Sequence, residues 1–77
     1  MNLYLMATTK YLGPTDNKGS RIKATIGSES ITRPYRADKS PSEAHALVVW
    51  DLLQKMSISV RKVKGGEIKG GYAWLIE

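Results

Sequence analysis

The tetrapeptide Ser40-Pro41-Ser42-Glu43 constrains the fold more than any other part of the sequence. A serine and a glutamate three residues apart form a capping box, in which each side chain accepts a hydrogen bond from the backbone N–H of the other residue. Pro41 suits the first helical position, where no backbone N–H is required. The sequence therefore predicts a helix from Pro41 to about Met56.

The predicted helix is amphipathic when its side chains are placed on a helical wheel. One side carries apolar side chains and the single histidine: His45, Ala46, Val49, Leu52, Leu53 and Met56, flanked by Val48 and Trp50. The other side carries Glu43, Asp51, Gln54 and Lys55. Leu47 lies on this polar side, with Ala44 beside it and the edge of Trp50 or Val48 nearby. This position predicts an exposed apolar patch suited to contact with a protein. The alternative is that Leu47 is an ordinary isolated leucine on the surface.

Three strands are predicted before the helix. Residues 3–12 carry apolar side chains in both alternating registers, which is typical of a central strand. Residues 21–26 alternate apolar with cationic or polar side chains, as a half-buried antiparallel strand does. The strand at 30–36 contains Pro34, which cannot donate to a ladder and so favours a sheet edge. Glycine, proline and Asx-turn residues make 13–20 an exposed loop.

Two further strands are predicted after the helix. Ile58–Lys64 has strand character, and the slip in its alternation between Val60 and Val63 indicates a β-bulge. Gly65-Gly66 is interpreted as a hairpin turn, and Tyr72–Ile76 as an aromatic-rich closing strand. The order β-β-β-α-β-β predicts an α+β fold, with an antiparallel sheet of four to five strands and one helix packed on one face.

Length and cysteine content limit the classes of protein that remain. The 77 residues predict one domain over 1–77, without room for a separate catalytic domain. Cysteine is absent, which removes disulfides and thiolate chemistry and is compatible with a reducing compartment. The apolar segment Met1–Met6 is short and lacks a basic leader, so neither a signal peptide nor a membrane span is predicted. We expect a cytoplasmic protein, in a cell or in an infected host.

Residues suited to catalysis or metal binding are sparse. His45 is the single histidine, and its position on the apolar side of the helix is more typical of a packed or half-exposed ring than of a catalytic base. The seven acidic residues are scattered singly, so neither a paired-carboxylate site nor an oxygen-ligand metal site is indicated. We therefore expect no enzyme activity, no metal and no cofactor, and a protein that works by binding.

The basic residues suggest one binding surface. Twelve Lys and Arg against seven Asp and Glu give a net charge of +5. Strand alternation directs Arg21, Lys23 and Arg61 to the sheet face away from the helix. Further lysines are expected in adjoining loops: Lys18, Lys62, Lys64 and Lys69. If Tyr4, Tyr72 or Trp74 also surfaced there, the face would offer phosphate contacts and base stacking, whereas the alternative is that these aromatic residues fill the core.

The stretch Thr9–Ala24 reads TKYLGPTDNKGSRIKA, followed later by a helix after a serine-rich linker and by GGYAW at Gly70–Trp74. This pattern resembles a group of uncharacterised small proteins from bacteriophages and mobile elements that share a TKYLGPT..KGSRIKA-like motif. From Lys39 onward the resemblance is more degenerate. It implies a phage accessory protein that docks on a host protein and blocks it, as inhibitors of host defence nucleases, including anti-CRISPR and anti-restriction proteins, do.

Two binding hypotheses follow from these observations. The first is an inhibitor that contacts a host protein or ribonucleoprotein complex through Leu47 and Trp50. The second is direct binding of DNA or RNA by the basic sheet face. A weaker third hypothesis is a homodimer that uses the edge strand of Pro34 or Leu47.

Overall fold

The structure, a computed structural model, describes residues 5–77, so the start of the predicted first strand and Tyr4 lie outside the described residues. Five strands and one helix follow one another: β1 (Leu5–Leu12), β2 (Arg21–Ile26), β3 (Glu29–Pro34), α1 (Pro41–Lys55), β4 (Val63–Ile68) and β5 (Gly71–Ile76). The predicted α+β fold with the order β-β-β-α-β-β is confirmed. No helix within residues 5–77 is long and apolar enough to cross a membrane.

The strands form one sheet in the order β3-β2-β1-β5-β4, and every neighbouring pair is antiparallel. β1 lies in the centre, as its two apolar registers predicted. β3 lies at an edge, as Pro34 predicted, because an edge strand tolerates one missing backbone donor. The chain reaches the other side of β1 through α1, which lets β5 pair with β1 and leaves β4 at the opposite edge.

The core lies between α1 and one face of the sheet. Val49, Leu52 and Leu53 of α1 are fully buried, together with Ala7 and Ala24 of the two neighbouring strands β1 and β2. These alanines are small, so the sheet leaves room for the larger helix side chains above it. Burying each leucine contributes about 1.5–3 kcal/mol.

Both ends of α1 are closed by local hydrogen bonds. The Oγ of Ser40 accepts a hydrogen bond from the backbone N–H of Glu43 at 3.4 Å, which confirms the predicted N-cap. The Glu43 carboxylate accepts the Ser40 hydroxyl at 3.0 Å, instead of the backbone N–H that a full capping box employs. At the other end, Ser57 has φ +57°, its N–H donates to Gln54, and the N–H of Ile58 donates to Leu53. This is a Schellman motif with serine where glycine is usual.

The strand predicted at Ile58–Lys64 is misplaced. β4 starts only at Val63, and Gly65-Gly66 lies inside it rather than forming the turn. The turn is Lys69-Gly70, with Gly70 at φ +82°. A tertiary contact explains the error: a Cβ on Gly65 would lie 2.2 Å from the Trp74 ring, so the ring occupies the space that a side chain would need.

The predicted β-bulge is confirmed just before β4. The backbone N–H groups of Arg61 and Lys62 both donate to the carbonyl oxygen of Glu77, at 2.7 and 3.1 Å. Two residues thus oppose Glu77, which is the hydrogen-bonding pattern of a β-bulge, directly beyond the ends of β4 and β5. Consequently Arg61 lies outside the regular ladder, and the prediction that it alternates within a fourth strand is wrong.

Candidate functional site

The sheet face that α1 does not cover is called the open face below. Ala7 and Thr9 of β1 are buried beneath α1, so their neighbours Thr8 and Lys10 point to the open face. The pairing register extends this assignment across the sheet, because directly paired residues share a face. Lys10 pairs with Lys23, and Leu12 pairs with Arg21.

Three cations, Lys10, Arg21 and Lys23, form what we call the basic cluster at one end of the open face. Lys10 and Lys23 stand directly opposite each other on the central strands β1 and β2. Like charges in this arrangement destabilise a sheet by a few tenths of a kcal/mol up to about 1 kcal/mol. No member of the cluster forms an ion pair within residues 5–77. The Nε of Arg21 is enclosed and has no hydrogen-bond acceptor among these residues.

The acidic residues within the strands are directed away from the basic cluster. By alternation, Glu29 of β3 and Glu67 of β4 take positions on the helix side of the sheet. Cations elsewhere neutralise several carboxylates: Arg33–Asp51 at 3.6 Å, Arg36–Asp38 at 3.0 Å, Lys55–Glu29 at 3.9 Å and Lys64–Glu77 at 3.9 Å. The Lys64–Glu77 pair lies at the far end of the open face from the basic cluster. The excess positive charge on this face is therefore concentrated around Lys10, Arg21 and Lys23.

The middle of the open face is rich in small residues. Register places there the following side chains: Thr8, Thr25, Ser30, Thr32, Gly66, Gly71 and Ala73. Four of these residues carry hydroxyl groups, which donate and accept hydrogen bonds. The large apolar side chains of this face, Met6, Leu12, Ile68 and Leu75, take register positions around this middle region.

The residues predicted for the basic face separate into groups. Arg21 and Lys23 lie on the open face as expected. Lys64 lies there too, at the opposite edge, with Lys62 next to it in the bulge. Two others lie off the strands: Lys18 in the loop between β1 and β2, and Lys69 in the β4–β5 turn.

Lys10 was missed by the sequence reasoning. Its alternation with Ala7 and Thr9 could have placed it on the open face. Apolar residues in both registers of β1 concealed that signal.

The expected aromatic platforms do not form on the open face within the described residues. Tyr72 and Trp74 point to the helix side, where Trp74 is buried and Tyr72 packs against the core. The alternative interpretation of these two residues, as core side chains, is the correct one. Base stacking therefore has no partner beside the basic cluster in residues 5–77.

A buried hydroxyl organises the helix side of the sheet. The Thr9 Oγ1 accepts a hydrogen bond from the indole Nε1–H of Trp74 at 3.0 Å and lies 2.7 Å from the Nδ1 of His45. The indole nitrogen can only donate, so the Thr9 hydroxyl proton is free for His45. The other acceptor within reach of the Thr9 hydroxyl is the Tyr72 carbonyl oxygen, which lies 3.5 Å from the Thr9 Oγ1. We therefore assign the hydroxyl as donor to Nδ1, which leaves the proton of the neutral imidazole on Nε2.

His45 is a packed ring, as its place on the helix predicted. It is only 4% exposed, and its ring centre lies 4.6 Å from that of Tyr72. Burial lowers the pKa of His45, because the charged imidazolium loses its hydration. The neutral form therefore prevails near pH 7. Among residues 5–77, no group of three or more potential ligands could hold a metal ion.

An open cleft of about 400 Å³ lies beside His45, at the turn end of the β4–β5 hairpin. Its lining combines aromatic rings, a carboxylate and backbone without side chains: Tyr11, His45, Glu67, Ile68, Gly70, Gly71 and Tyr72. Glu67 is paired with Tyr72 across the strands and has no cationic partner within residues 5–77. The sequence reasoning did not find this cleft, because it depends on the register of β4 and β5.

The predicted patch on α1 is smaller than expected. Leu47 and Trp50 are 39% and 38% exposed, and three residues of separation place them side by side on the helix surface. Ala44 and Val48, which were expected to extend the patch, are buried in the core. The exposed apolar surface of α1 therefore consists of Leu47 and Trp50.

Comparison with protein-family models, curated proteins and solved structures found no match to this chain. The resemblance to small phage proteins stays a prediction. The functional argument therefore depends on the open face, the cleft and the helix surface themselves.

Proposed function

We propose that this protein binds the phosphate backbone of a nucleic acid with the open face of its sheet. The observation that carries the proposal is the basic cluster, in which Lys10 and Lys23 oppose each other and form no ion pair with any acidic residue in the described range 5–77. Such a pair costs stability in the free protein, and an anion placed between the two ammonium groups would remove that cost. The guanidinium of Arg21 extends the cluster and suits bidentate contact with phosphate.

The rest of the open face is compatible with an extended polyanion. Lysine and arginine side chains, hydroxyl groups and backbone N–H groups are the usual partners of phosphate oxygens in nucleic-acid complexes. Hydroxyl groups are supplied beside the basic cluster by Thr8, Thr25, Ser30 and Thr32 of β1, β2 and β3. Because residues 5–77 place no aromatic platform on this face, the contacts we propose are made to the backbone and depend little on base sequence.

Fluorescence anisotropy with labelled single-stranded and duplex oligonucleotides tests the proposal. We expect binding at about 50 mM salt that weakens steeply by about 200 mM, with a logarithmic slope of about −0.9 for each phosphate contact to duplex DNA. Replacing both opposed lysines, Lys10→Gln with Lys23→Gln, should weaken binding at least tenfold at low salt. It should also reduce the slope by about 1.8 for duplex DNA, because two contacts are lost.

The matched control is the double variant Lys39→Gln with Lys55→Gln, which removes the same charge away from the open face. Its slope should stay close to that of the unchanged protein. Absence of binding at low salt would refute the proposal. An equal loss of affinity in the two double variants would also refute it, because net charge rather than the basic cluster would then explain binding.

A second candidate function is contact with a host protein or ribonucleoprotein complex, in the manner of anti-CRISPR or anti-restriction inhibitors. The exposed pair Leu47 and Trp50 favours it, since aromatic and aliphatic anchors contribute most of the energy of protein interfaces. The test is phage plating on cells that carry a CRISPR or restriction system and express this protein. If the protein blocks the defence system, the phage should form plaques on these cells. Plaque formation should be lost with Leu47→Glu and kept with Gln54→Glu, an exposed control on the same helix. If the unchanged protein does not restore plaque formation, or if the two variants restore it equally, this candidate fails.

A further inference from the structure

The cleft beside His45 lies on the opposite side of the sheet from the basic cluster, and the proposed backbone binding makes no use of it. Its walls are preformed. The Tyr11 ring packs edge-on against Tyr35, with 5.6 Å between ring centres, and its hydroxyl donates to Ser20 at 2.9 Å. The Tyr72 ring is held between His45 and Trp74. Aromatic surfaces fixed in this way suit stacking with a flat ligand.

Two polar groups give the cleft a hydrogen-bonding pattern. His45 has its Nδ1 occupied by the Thr9 hydroxyl, whereas its Nε2 has no partner among the described residues and is not enclosed by them. Since His45 lines the cleft, Nε2–H is a donor available to a ligand there. Glu67 contributes a carboxylate, which accepts hydrogen bonds at two oxygens. A complementary ligand therefore has an acceptor next to one or two donors on a planar ring.

We propose that the cleft binds a single unpaired nucleobase, with guanine preferred. The N1–H and N2–H groups of guanine form two adjacent donors that match the two oxygens of the Glu67 carboxylate. The neighbouring O6 accepts from the His45 Nε2–H, and the ring stacks against tyrosine. Adenine and cytosine each offer fewer donors to the carboxylate. Unpaired bases are commonly recognised in this way, by stacking on aromatic side chains and by hydrogen bonds along the Watson–Crick edge.

The inference rests on the proposed function, and the hairpin end of the sheet connects the two sites. Lys10 on the open face is followed directly by Tyr11 in the cleft, and Lys10 pairs with Gly71 of the cleft lining. Gly70 and Gly71 carry no side chains, so the edge between the two sites is thin. A nucleotide strand bound at the basic cluster can therefore turn one base around this edge into the cleft.

Nucleosides test the cleft separately from backbone binding, because they carry no phosphate. In ¹H–¹⁵N NMR titrations of the full chain, guanosine should shift the amide signals of Gly70, Gly71 and Tyr72. Inosine lacks the N2 amino group and should bind about five- to tenfold more weakly. Adenosine should bind more weakly still.

Glu67→Gln should lower guanosine affinity at least tenfold, since hydrogen bonds to a charged group are the stronger ones. Asp51→Asn, an exposed carboxylate on α1, serves as the control and should bind guanosine unchanged.

The outcomes separate the two proposals. The cleft assignment is supported if guanosine still shifts the amide signals in the Lys10→Gln, Lys23→Gln double variant but no longer shifts them in Glu67→Gln. This holds whether or not the protein binds oligonucleotides. Salt-dependent oligonucleotide binding without guanosine shifts at the cleft would overturn the cleft assignment and leave the proposed function standing. Equal affinity for guanosine and adenosine would also overturn it. So would preferential binding of arginine amide, a cation that could pair with Glu67, because the site would then recognise positive charge rather than a base.

Discussion

The buried hydroxyl of Thr9 provides a sharp test of how the core is held together. Thr9→Val keeps the size and β-branched shape of the side chain and removes one oxygen atom. The indole Nε1–H of Trp74 then loses its acceptor at 3.0 Å, and the Nδ1 of His45 loses its partner at 2.7 Å. Neither the Trp74 Nε1–H nor the His45 Nδ1 has another hydrogen-bond partner among residues 5–77. The substitution therefore leaves two polar atoms unpaired in a dry environment.

The expected loss follows from the cost of burying unpaired polar groups. Each unsatisfied group costs about 1–3 kcal/mol. The gain from burying a methyl group in place of a hydroxyl offsets about 1 kcal/mol of that loss. We therefore expect Thr9→Val to lower the free energy of unfolding by about 1–5 kcal/mol. For a chain of this size each kcal/mol corresponds to a fall in Tm of roughly 4–8 °C.

The neighbouring Thr8 supplies a matched control. It occurs in the same strand, one residue earlier, but its side chain lies on the open face and is exposed. Thr8→Val should change stability by less than about 0.5 kcal/mol. Urea unfolding followed by far-UV circular dichroism measures both variants. In a Trp50→Phe background, fluorescence would report Trp74 specifically. If Thr9→Val and Thr8→Val unfold at the same urea concentration, the account of Thr9 as a required hydrogen-bond centre is wrong.

Three further changes test other parts of the fold. Gly71→Ala should destabilise the protein by about 3 kcal/mol or more in urea unfolding, because its Cβ would lie 1.7 Å from the Thr9 carbonyl oxygen, whereas Gly66→Ala, where the same atom meets nothing within 4 Å, should not destabilise it. Ser57→Gly should raise stability by about 0.5–1 kcal/mol in thermal unfolding by relieving a left-handed serine, and Ser57→Ala should bring no such gain. The folded state holds the pKa of His45 below its ordinary value, so the unfolded state binds the proton more readily; stability should be full above about pH 6.5 and decline as pH falls below it. Urea midpoints between pH 7.5 and 5.5 should show this decline, and His45→Gln should flatten it.

Local chemistry was sufficient to predict much of the fold. The N-cap at Ser40, the clean alternation of β2 and the proline of β3 each depend on residues close in sequence. The misplaced β4 shows where this fails. Two adjacent glycines favour a turn, yet Gly65 serves to accommodate the ring of Trp74 from the neighbouring strand. That requirement arises from a contact between strands, which the local pattern does not contain.

The binding surfaces depended on pairing register, which the sequence did not specify. Strand alternation placed Arg21 and Lys23 on the open face without knowledge of their neighbours. Recognising Lys10 as the partner of Lys23 requires the alignment of β1 with β2 across the loop at residues 13–20. The cleft requires two such alignments, because Tyr11, Glu67 and Tyr72 come from three different strands.

The location of the basic cluster bears on how it would bind. Lys10 and Lys23 belong to β1 and β2, and the backbone beneath them is held on both sides by ladder hydrogen bonds. The two ammonium groups repel each other, but the ladder hydrogen bonds on both sides keep the backbone from shifting to separate them. Cations on mobile loops lose conformational entropy when they bind a phosphate, whereas the backbone of these two is ordered beforehand. Preorganisation of this kind favours affinity from few contacts.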